Sequence, residues 1–189
     1  MYGMTMRMPA DAAAVLPQVL EVLGWQGRRV VQARALSNWR WVACELDEAE
    51  HETRVREGLP PAADAILLRC LAHRYPDFLS RPAPVRIEGA IAPRRTWAAA
   101  RNNLGGFVSF GARVALVPAA VARGLPVAVD AVYYGFGVVA LEEPDRLVHP
   151  PEPVAATERT WMKRLVEEVV YDAVLRQAGQ PLPVALRVG

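Results

Sequence analysis

Four consecutive segments decide the fold: VRIEGAI at residues 85–91, TWAAARNNL at 96–104, RVALVP at 113–118 and YGFGVVAL at 134–141. The first has the composition of a short strand that carries one acid, and the second that of a helix. The third and fourth are apolar runs of strand length. A strand, a helix and a further strand in this order typically form a right-handed crossover between parallel strands. The four segments therefore predict a sheet with helices packed on it.

A β-hairpin is expected upstream of these segments. Two apolar runs, at residues 30–36 and 39–46, are separated by Ser37 and Asn38, which together are a two-residue turn signal. Alternation along the second strand places Trp39 on one face and Arg40 on the other.

Helices and connections are expected around the hairpin and the four segments. Residues 9–24 predict a first helix in which Pro17 forces a kink or a later start, and a second helix follows Pro60 and Pro61 and ends near Arg74. The remaining expectations are a solvated charged helix or loop at 47–58, an irregular segment at 75–84, a strand or sheet-edge loop at 125–132, a turn at 142–145 and a return strand at 146–148.

The last helix has the strongest helical pattern in the chain. Apolar residues recur at four-residue spacing from Trp161, and Thr157 can cap the helix with Glu158 in its first turn. The order of elements predicts a mixed α/β sheet flanked by helices, with residues 1–150 as one domain. Residues 151–189 would then be a proline-rich linker and an amphipathic helix, at 157–178, that packs on the domain or on a partner.

Composition excludes several classes of protein. The chain has 189 residues, of which 52% are apolar and 22% are charged. Its formal net charge is +2, so its overall electrostatic field does not indicate a nucleic-acid partner. Lys163 is the one lysine; a GC-rich genome explains this best, although arginine forks also suit phosphate. There is no apolar run of membrane-spanning length and no signal-peptide pattern, so we expect a cytoplasmic protein without a membrane anchor. Cys44 and Cys70 are interpreted as small buried apolar residues of a protein in a reducing compartment. A disulfide bond between them is the alternative.

Two acids in the middle of the chain are candidates for a functional site. Asp77 follows Pro76, and Glu88 lies on the strand at 85–91. With the helix ending RNNL, the strand ending LVP and the later GFGVV strand, the stretch 75–150 resembles the PD-(D/E)xK nuclease superfamily, which has the restriction-endonuclease-like fold. The resemblance implies DNA as substrate and Mg²⁺ held by Asp77 and Glu88, which would polarise a phosphodiester and activate water.

The chain departs from that family at one position. Ala90 stands where the family has the lysine of its Glu-x-Lys motif. Arg94 or Arg95 from beyond the strand, or Arg86 from before it, could supply positive charge, but an arginine does not act as a general base. The departure favours a scaffold that has lost its metal chemistry, with Mg²⁺ needed only if catalysis survives.

Several residues have both a functional and a purely structural interpretation. Glu88 could bind metal or pair with Arg86 or Arg94, and Glu45 or Asp47 could replace Asp77 as the first acid. Basic and aromatic side chains on and near the hairpin could contact nucleic acid by phosphate binding and stacking, or could be core and solvated residues. The candidates there are Arg28, Arg29, Arg34, Trp39 and Arg40, and Arg101 in the helix at 96–104 is a further one.

Three hypotheses for function follow. The first is a DNA-associated protein with a degenerate, non-catalytic nuclease-like fold. The second is a divergent Mg²⁺-dependent deoxyribonuclease that uses Asp77, Glu88 and an arginine. The third is a protein-interaction or assembly subunit, which would form a homodimer or bind a partner protein through the helix at 157–178 or the tryptophan-bearing hairpin.

Overall fold

A computed structural model describes residues 10–154 and 160–179 and confirms the predicted mixed α/β class. Six strands form one mixed sheet in the order β1-β2-β3-β4-β5-β6, with helices flanking it. The elements are α1 (Ala10–Ala14), α2 (Leu16–Val22), β1 (Arg29–Ala35), β2 (Asn38–Leu46), α3 (Glu48–Glu57), α4 (Ala65–Arg74), β3 (Val85–Pro93), α5 (Trp97–Leu104), a 3₁₀ turn (Gly105–Phe107), β4 (Ala112–Val117), α6 (Ala119–Ala122), α7 (Leu125–Tyr134), β5 (Phe136–Ala140), β6 (Glu143–His149) and α8 (Trp161–Gln177).

The described chain divides into two compact units. We call the first the hairpin unit; it comprises Arg28–Gly89, Ser109–Gly111 and the described residues of Val154–Gly189. We call the second the crossover unit; it comprises Ala90–Val108, Ala112–Pro153 and the described residues before Arg28.

The hairpin unit is built on antiparallel β1 and β2, whose register runs from Arg29 opposite Cys44 to Ala35 opposite Asn38. The turn between the strands consists of Leu36 and Ser37, which have φ angles of 52° and 66°. The predicted turn at Ser37 and Asn38 is therefore one residue too late. A two-residue hairpin turn with both residues at positive φ matches the twist of the strands, even though these side chains are disfavoured there.

Helix α3 corrects the expectation of a solvated segment at 47–58. Asp47 caps it by accepting a hydrogen bond from the backbone N–H of Glu50, and Gly58 ends it in the left-handed conformation. One face is nevertheless buried, because Arg54 has no exposed surface and Glu50 is only 9% exposed. The predicted second helix is confirmed as α4, which begins after the side-chain cap Asp64.

The apolar core of the hairpin unit lies around α4 and the segment after it. Helix α8 packs on β1. The fully buried core side chains are Leu59, Ala62, Leu68, Leu71 and Phe78, with Trp161 and Leu165 of α8 packed against them. Each large apolar side chain buried here contributes about 1.5–3 kcal/mol to folding.

The crossover unit is built on parallel β4 and β5, which pair from Arg113 opposite Phe136 to Val117 opposite Ala140. Short helices α6 and α7 make the connection between them. Strand β6 returns antiparallel to β5, as predicted, and α5 packs on β4. Thr96 caps α5 by accepting from the backbone N–H of Ala99.

The expectation of a strand or loop at residues 125–132 is wrong, because these residues form most of α7. Pro126 lies in the first turn, where its missing N–H costs nothing, and Gly135 ends the helix in the left-handed conformation with φ 69°. Val127 and Ala131 are its buried residues.

Both terminal helices have bounds close to the predicted ones. The first helix is broken at Val15, so Pro17 lies in the first turn of α2, as the proline predicted. Helix α8 is capped by Thr160, whereas the predicted cap Thr157 and its neighbour Glu158 lie outside the described residues. Cys44 and Cys70 are both free thiols, Cys44 buried and Cys70 exposed. Within the two described ranges, every helix is too short or too polar to cross a bilayer.

Candidate functional site

Glu88 lies in a four-residue ion-pair cluster on β2, β3 and the chain just before β1. Its Oε1 atom is 3.1 Å from Arg28 Nε and 3.1 Å from an Arg86 terminal nitrogen. The Glu45 Oε2 atom is 2.5 Å from Arg86 and 3.3 Å from Arg28. Two carboxylates thus face two guanidinium groups, and their formal charges cancel.

Asp77 lies in an exposed turn after α4. Its backbone carbonyl accepts hydrogen bonds from the N–H groups of Ser80 and Arg81, both at 3.0 Å. Through its charge, Asp77 is one of the smaller causes that raise the pKa of Arg81; the largest is the hydrogen bond to Glu57. The backbone carbonyl of Asp77 therefore stabilises the turn, and its carboxylate interacts electrostatically with Arg81.

The acids do not come together as a set of metal ligands. In residues 10–154 and 160–179, no three His, Cys, Asp or Glu side chains are grouped so that they could hold a metal ion. Glu88 Oε1 also has two arginines at contact distance, which a divalent cation would have to displace. This arrangement does not fit Mg²⁺, and the roles of Asp77 and Glu88 as ligands stay a prediction of the sequence.

Arg94 and Arg95 belong to the crossover unit, whereas Glu88 belongs to the hairpin unit. The backbone N–H of Arg94 donates to the carbonyl of Leu116, and its side chain donates to the carbonyl of Pro93 at 2.7 Å. Burial lowers the pKa of the Arg94 guanidinium below its ordinary value. Arg95 is exposed, next to the α5 cap at Thr96.

Carboxylates already engage three of the six candidate residues for nucleic-acid contact. Arg28 belongs to the Glu88 cluster, and Arg29 lies 3.1 Å from Glu48. Arg101 lies 2.9 Å from Asp130. A phosphate would have to compete with these acids for each guanidinium.

The other three candidates lie on the hairpin. Arg40 is 1% exposed and therefore inaccessible to a ligand in this conformation. Arg34 is exposed and stands directly opposite Trp39 in the hairpin register, and Trp39 is 48% exposed. Arg34 and Trp39 are thus the two candidates that combine exposure with an arginine–aromatic pairing.

The sequence interpretation missed a buried ionic network, which we call the Arg54 network. Its centre is Arg54, whose two terminal nitrogens donate to Glu168 at 2.6 and 3.3 Å and whose Nε donates to Glu50 at 3.1 Å. Glu168 has no exposed surface, and its Oε2 also accepts from the backbone N–H of Ala62 at 2.9 Å. Such a bidentate pair with further hydrogen bonds is what a buried carboxylate needs to remain charged.

Further arginines extend the network. Arg164 Nε is 3.0 Å from Glu168, and its NH1 atom donates to the backbone carbonyl of Arg81 at 2.9 Å. Arg81 in turn lies 2.7 Å from Glu57. The guanidinium groups of Arg54 and Arg164 are 4.5 and 5.1 Å from the ring centre of Phe78, at cation–π distance.

The Arg54 network holds α3, the chain before α4 and α8 together. A sequence signal for it exists, since Glu50 and Arg54 on α3, and Arg164 and Glu168 on α8, are both acid–arginine pairs at i,i+4 spacing. That spacing predicts pairing within a helix. It does not predict that the two pairs join in the core.

A histidine–tyrosine pair lies beside this network. His51 Nδ1 is 2.9 Å from the Tyr171 hydroxyl. Burial raises the pKa of Tyr171 to about 12. The hydroxyl is therefore a neutral partner of the imidazole at physiological pH.

The second feature that sequence analysis missed is the exposed side of α7, which we call the α7 face. It consists of large apolar or aromatic side chains: Leu125 (77% exposed), Val129 (58%), Val132 (79%) and Tyr133 (78%). The four follow the i, i+4, i+7, i+8 spacing of one side of a helix. That side normally faces a core, but here the core side carries Val127 and Ala131 instead.

The α7 face carries no charged side chain. Asp130 is the one ionisable acid or base of α7, and its carboxylate accepts hydrogen bonds from Trp97 Nε1 at 2.7 Å and from Arg101 at 2.9 Å. The Trp97 hydrogen bond, with a smaller contribution from Arg101, lowers the pKa of Asp130. The outward side chains of the helix are therefore uncharged.

Comparison with known proteins adds no family to these observations: no protein-family model, no curated protein and no solved structure matches the chain.

Proposed function

We propose that this chain is a protein-interaction or assembly subunit whose contact surface is the α7 face. The observation that carries the proposal is the row of four large, uncharged side chains exposed along one side of a helix. Monomeric proteins rarely expose contiguous apolar patches larger than a few hundred Å² unless the patch has a binding role.

The size of the α7 face fits a protein partner. A fully exposed aromatic side chain presents on the order of 150–250 Å² and a large aliphatic one somewhat less, so the four side chains of the α7 face present roughly 500 Å² in total. Covering them would place Tyr133 where aromatic side chains are enriched in interfaces, with its hydroxyl group able to find a polar partner.

The charge distribution supports the same proposal. Acidic side chains lie at contact distance from Arg28, Arg29 and Arg101, so the basic groups that would attract phosphate are largely neutralised locally. The α7 face, in contrast, has no charge to bind a polyanion or an anionic lipid surface. Apolar burial is then the main contribution to affinity that it can make.

The proposal is tested with a variant that carries a photoreactive benzophenone side chain at position 132. This variant is added to an extract of the native cells. We expect an adduct with a protein, suppressed by excess unlabelled wild type but not by excess Val129→Glu/Val132→Glu variant. A matched control carries the probe at Ile66, which is equally exposed at 77% but lies on α4. Equal labelling at both positions, or no competed adduct at 132, contradicts the proposal.

A second candidate function is DNA association, favoured by the exposed Arg34 opposite Trp39. A base could stack on Trp39 while Arg34 contacts phosphate. The expected result is binding of a fluorescent single strand that falls steeply with salt and that Trp39→Ala and Arg34→Ala each weaken. The matched control is Arg176→Ala on α8, and binding that ignores salt and both changes eliminates this candidate.

A further inference from the structure

We infer that the partner of the α7 face is a second copy of this chain, in a two-fold dimer in which two α7 helices pack antiparallel. The inference rests on the proposed function, and it names the occupant of that surface. Three properties of the α7 face carry it: its charge, its symmetry and its area.

The α7 face has no charge with which to select a different protein. A surface that chooses a foreign partner usually carries charged or polar groups that pair with that partner and reject others. The acid of α7, Asp130, is already paired with Trp97 and Arg101 beside the face. Two copies of an uncharged face can therefore meet without like-charge repulsion and without burying an unpaired ion.

The spacing of the side chains is suited to a two-fold axis. In a symmetric interface residue i of one copy contacts residue j of the other, and residue j contacts residue i. Val129 stands midway between Leu125 and Tyr133, four residues from each. Antiparallel helices crossing at Val129 would place Leu125 of each copy against Tyr133 of the other, a small apolar group against an aromatic ring. The opposed directions also bring the two helix dipoles into a favourable arrangement.

The exposed area is near the lower limit for a stable dimer. Two copies of a face of roughly 500 Å² bury about 1,000 Å², which is the lower limit for a specific interface. Interfaces of this size bind weakly, so we expect a dissociation constant of about 1–100 µM rather than a permanent dimer. The dimer would therefore form or dissociate with protein concentration.

Sedimentation equilibrium of the purified 189-residue chain between about 1 and 200 µM tests the inference, with the concentrations set by that estimate. We expect a shift from 20.7 kDa to twice that mass. Val129→Glu should weaken dimerisation by at least about 100-fold, since a buried carboxylate at the axis has no partner. Glutamate is a better helix former than valine, so the variant should keep its fold. Ile66→Glu is the matched control and should dimerise like the wild type.

Oxidative cross-linking locates the axis independently. In a Cys70→Ser background, Val129→Cys should form an intermolecular disulfide under mild oxidation, because residues on a two-fold axis lie next to their symmetry mates. Ile66→Cys in the same background should not. A dimer that survives Val129→Glu, or that cross-links equally through both positions, overturns the inference.

The experiments separate failure of the dimer from failure of the proposed function. A wild-type chain that stays monomeric at 200 µM overturns self-pairing. If the probe at position 132 then captures a different protein with the required competition, the α7 face is a docking surface for that protein, and the proposed function stands. If it captures nothing, both proposals fail.

Discussion

Arg54 and Glu168 form a two-point ion pair in the interior of the hairpin unit, with neither side chain exposed to solvent. The two residues are 114 positions apart in the sequence. Removing Arg54 takes from the buried Glu168 the closer of its two arginine partners, Arg164 being the other, and this is far more costly than losing an exposed pair.

Arg54→Met should lower the free energy of unfolding by about 3–5 kcal/mol, measured by urea denaturation. The control is Arg176→Ala, which breaks an exposed i,i+4 pair with Asp172 on α8 and should cost less than about 0.5 kcal/mol. The double variant Arg54→Met/Glu168→Met should recover only part of the loss, because the buried Arg164 then loses the carboxylate 3.0 Å away. Equal costs for Arg54→Met and Arg176→Ala would show that the Arg54 network is energetically unimportant.

The two cysteines should differ sharply in reactivity. Burial raises the pKa of the Cys44 thiol to about 12, whereas Cys70 is exposed. Because the thiolate is the reactive form, a disulfide reagent at pH 8 should label one thiol per chain in the folded protein and two in denaturant. Cys70→Ser should abolish the fast labelling. Rapid labelling of both thiols under native conditions would argue against the described position of Cys44.

Alkaline pH should destabilise the hairpin unit through Tyr171. Its pKa is raised from 10.0 to about 12, so the folded state holds the proton more tightly than the unfolded state. The resulting stability is fully present below pH 10 and is lost as the pH rises towards 12, by up to about 2–3 kcal/mol. The unfolding free energy of Tyr171→Phe should fall less over this range than that of the wild type.

Two glycines should respond in opposite ways to alanine. A Cβ at Gly111 would lie 2.9 Å from both the carbonyl oxygen of Glu88 and the Cα of Gly89, which are backbone atoms. Gly111→Ala should therefore cost about 1–3 kcal/mol, as overpacking does. Gly105 has helical dihedral angles and open space around its Cα, so Gly105→Ala should be neutral or stabilise by up to about 1 kcal/mol. Thermal unfolding of both variants measures the contrast, and similar melting temperatures would contradict it.

Glu88→Gln distinguishes an ion-pair residue from a metal ligand. In the observed cluster the change should cost about 0.2–1 kcal/mol, the usual range for a partly exposed pair. Calorimetric titration with Mn²⁺ should give the same result for the variant and the wild type. Specific Mn²⁺ binding that Glu88→Gln abolishes would restore the ligand role implied by the nuclease resemblance.

Much of the fold could be predicted because its signals are local. Asp64 before α4, Thr96 before α5 and the apolar runs of β4 and β5 are readable from neighbouring residues alone. The predicted turn lay one residue beyond the observed turn at Leu36 and Ser37, because Asn38 is the commoner turn former.

Helix α7 was missed because it has apolar residues on every side. Val127 faces the core while Val129 and Val132 face outwards, so the sequence has no polar face to reveal the helical period. The same property that conceals the helix in the sequence creates the α7 face in the structure.

The candidate site was the least predictable part. Pairing of Glu88 with Arg86 was one of the interpretations from the sequence and is confirmed, since the two side chains lie 3.1 Å apart. Its pairing with Arg28 depends on where β3 meets the chain before β1 in the fold. Likewise, nothing near Arg54 in the sequence identifies Glu168 as its partner.

The Arg54 network also sets an order on biosynthesis. During translation α3 leaves the ribosome long before α8, so Arg54 has Glu50 of its own helix as a partner more than a hundred residues before Glu168 follows. Until then the interior of the hairpin unit lacks the carboxylate that binds both terminal nitrogens of Arg54, which opposes early burial of this guanidinium. The last helix of the chain thus completes the hairpin unit, and a nascent chain that stops short of α8 would leave that unit open.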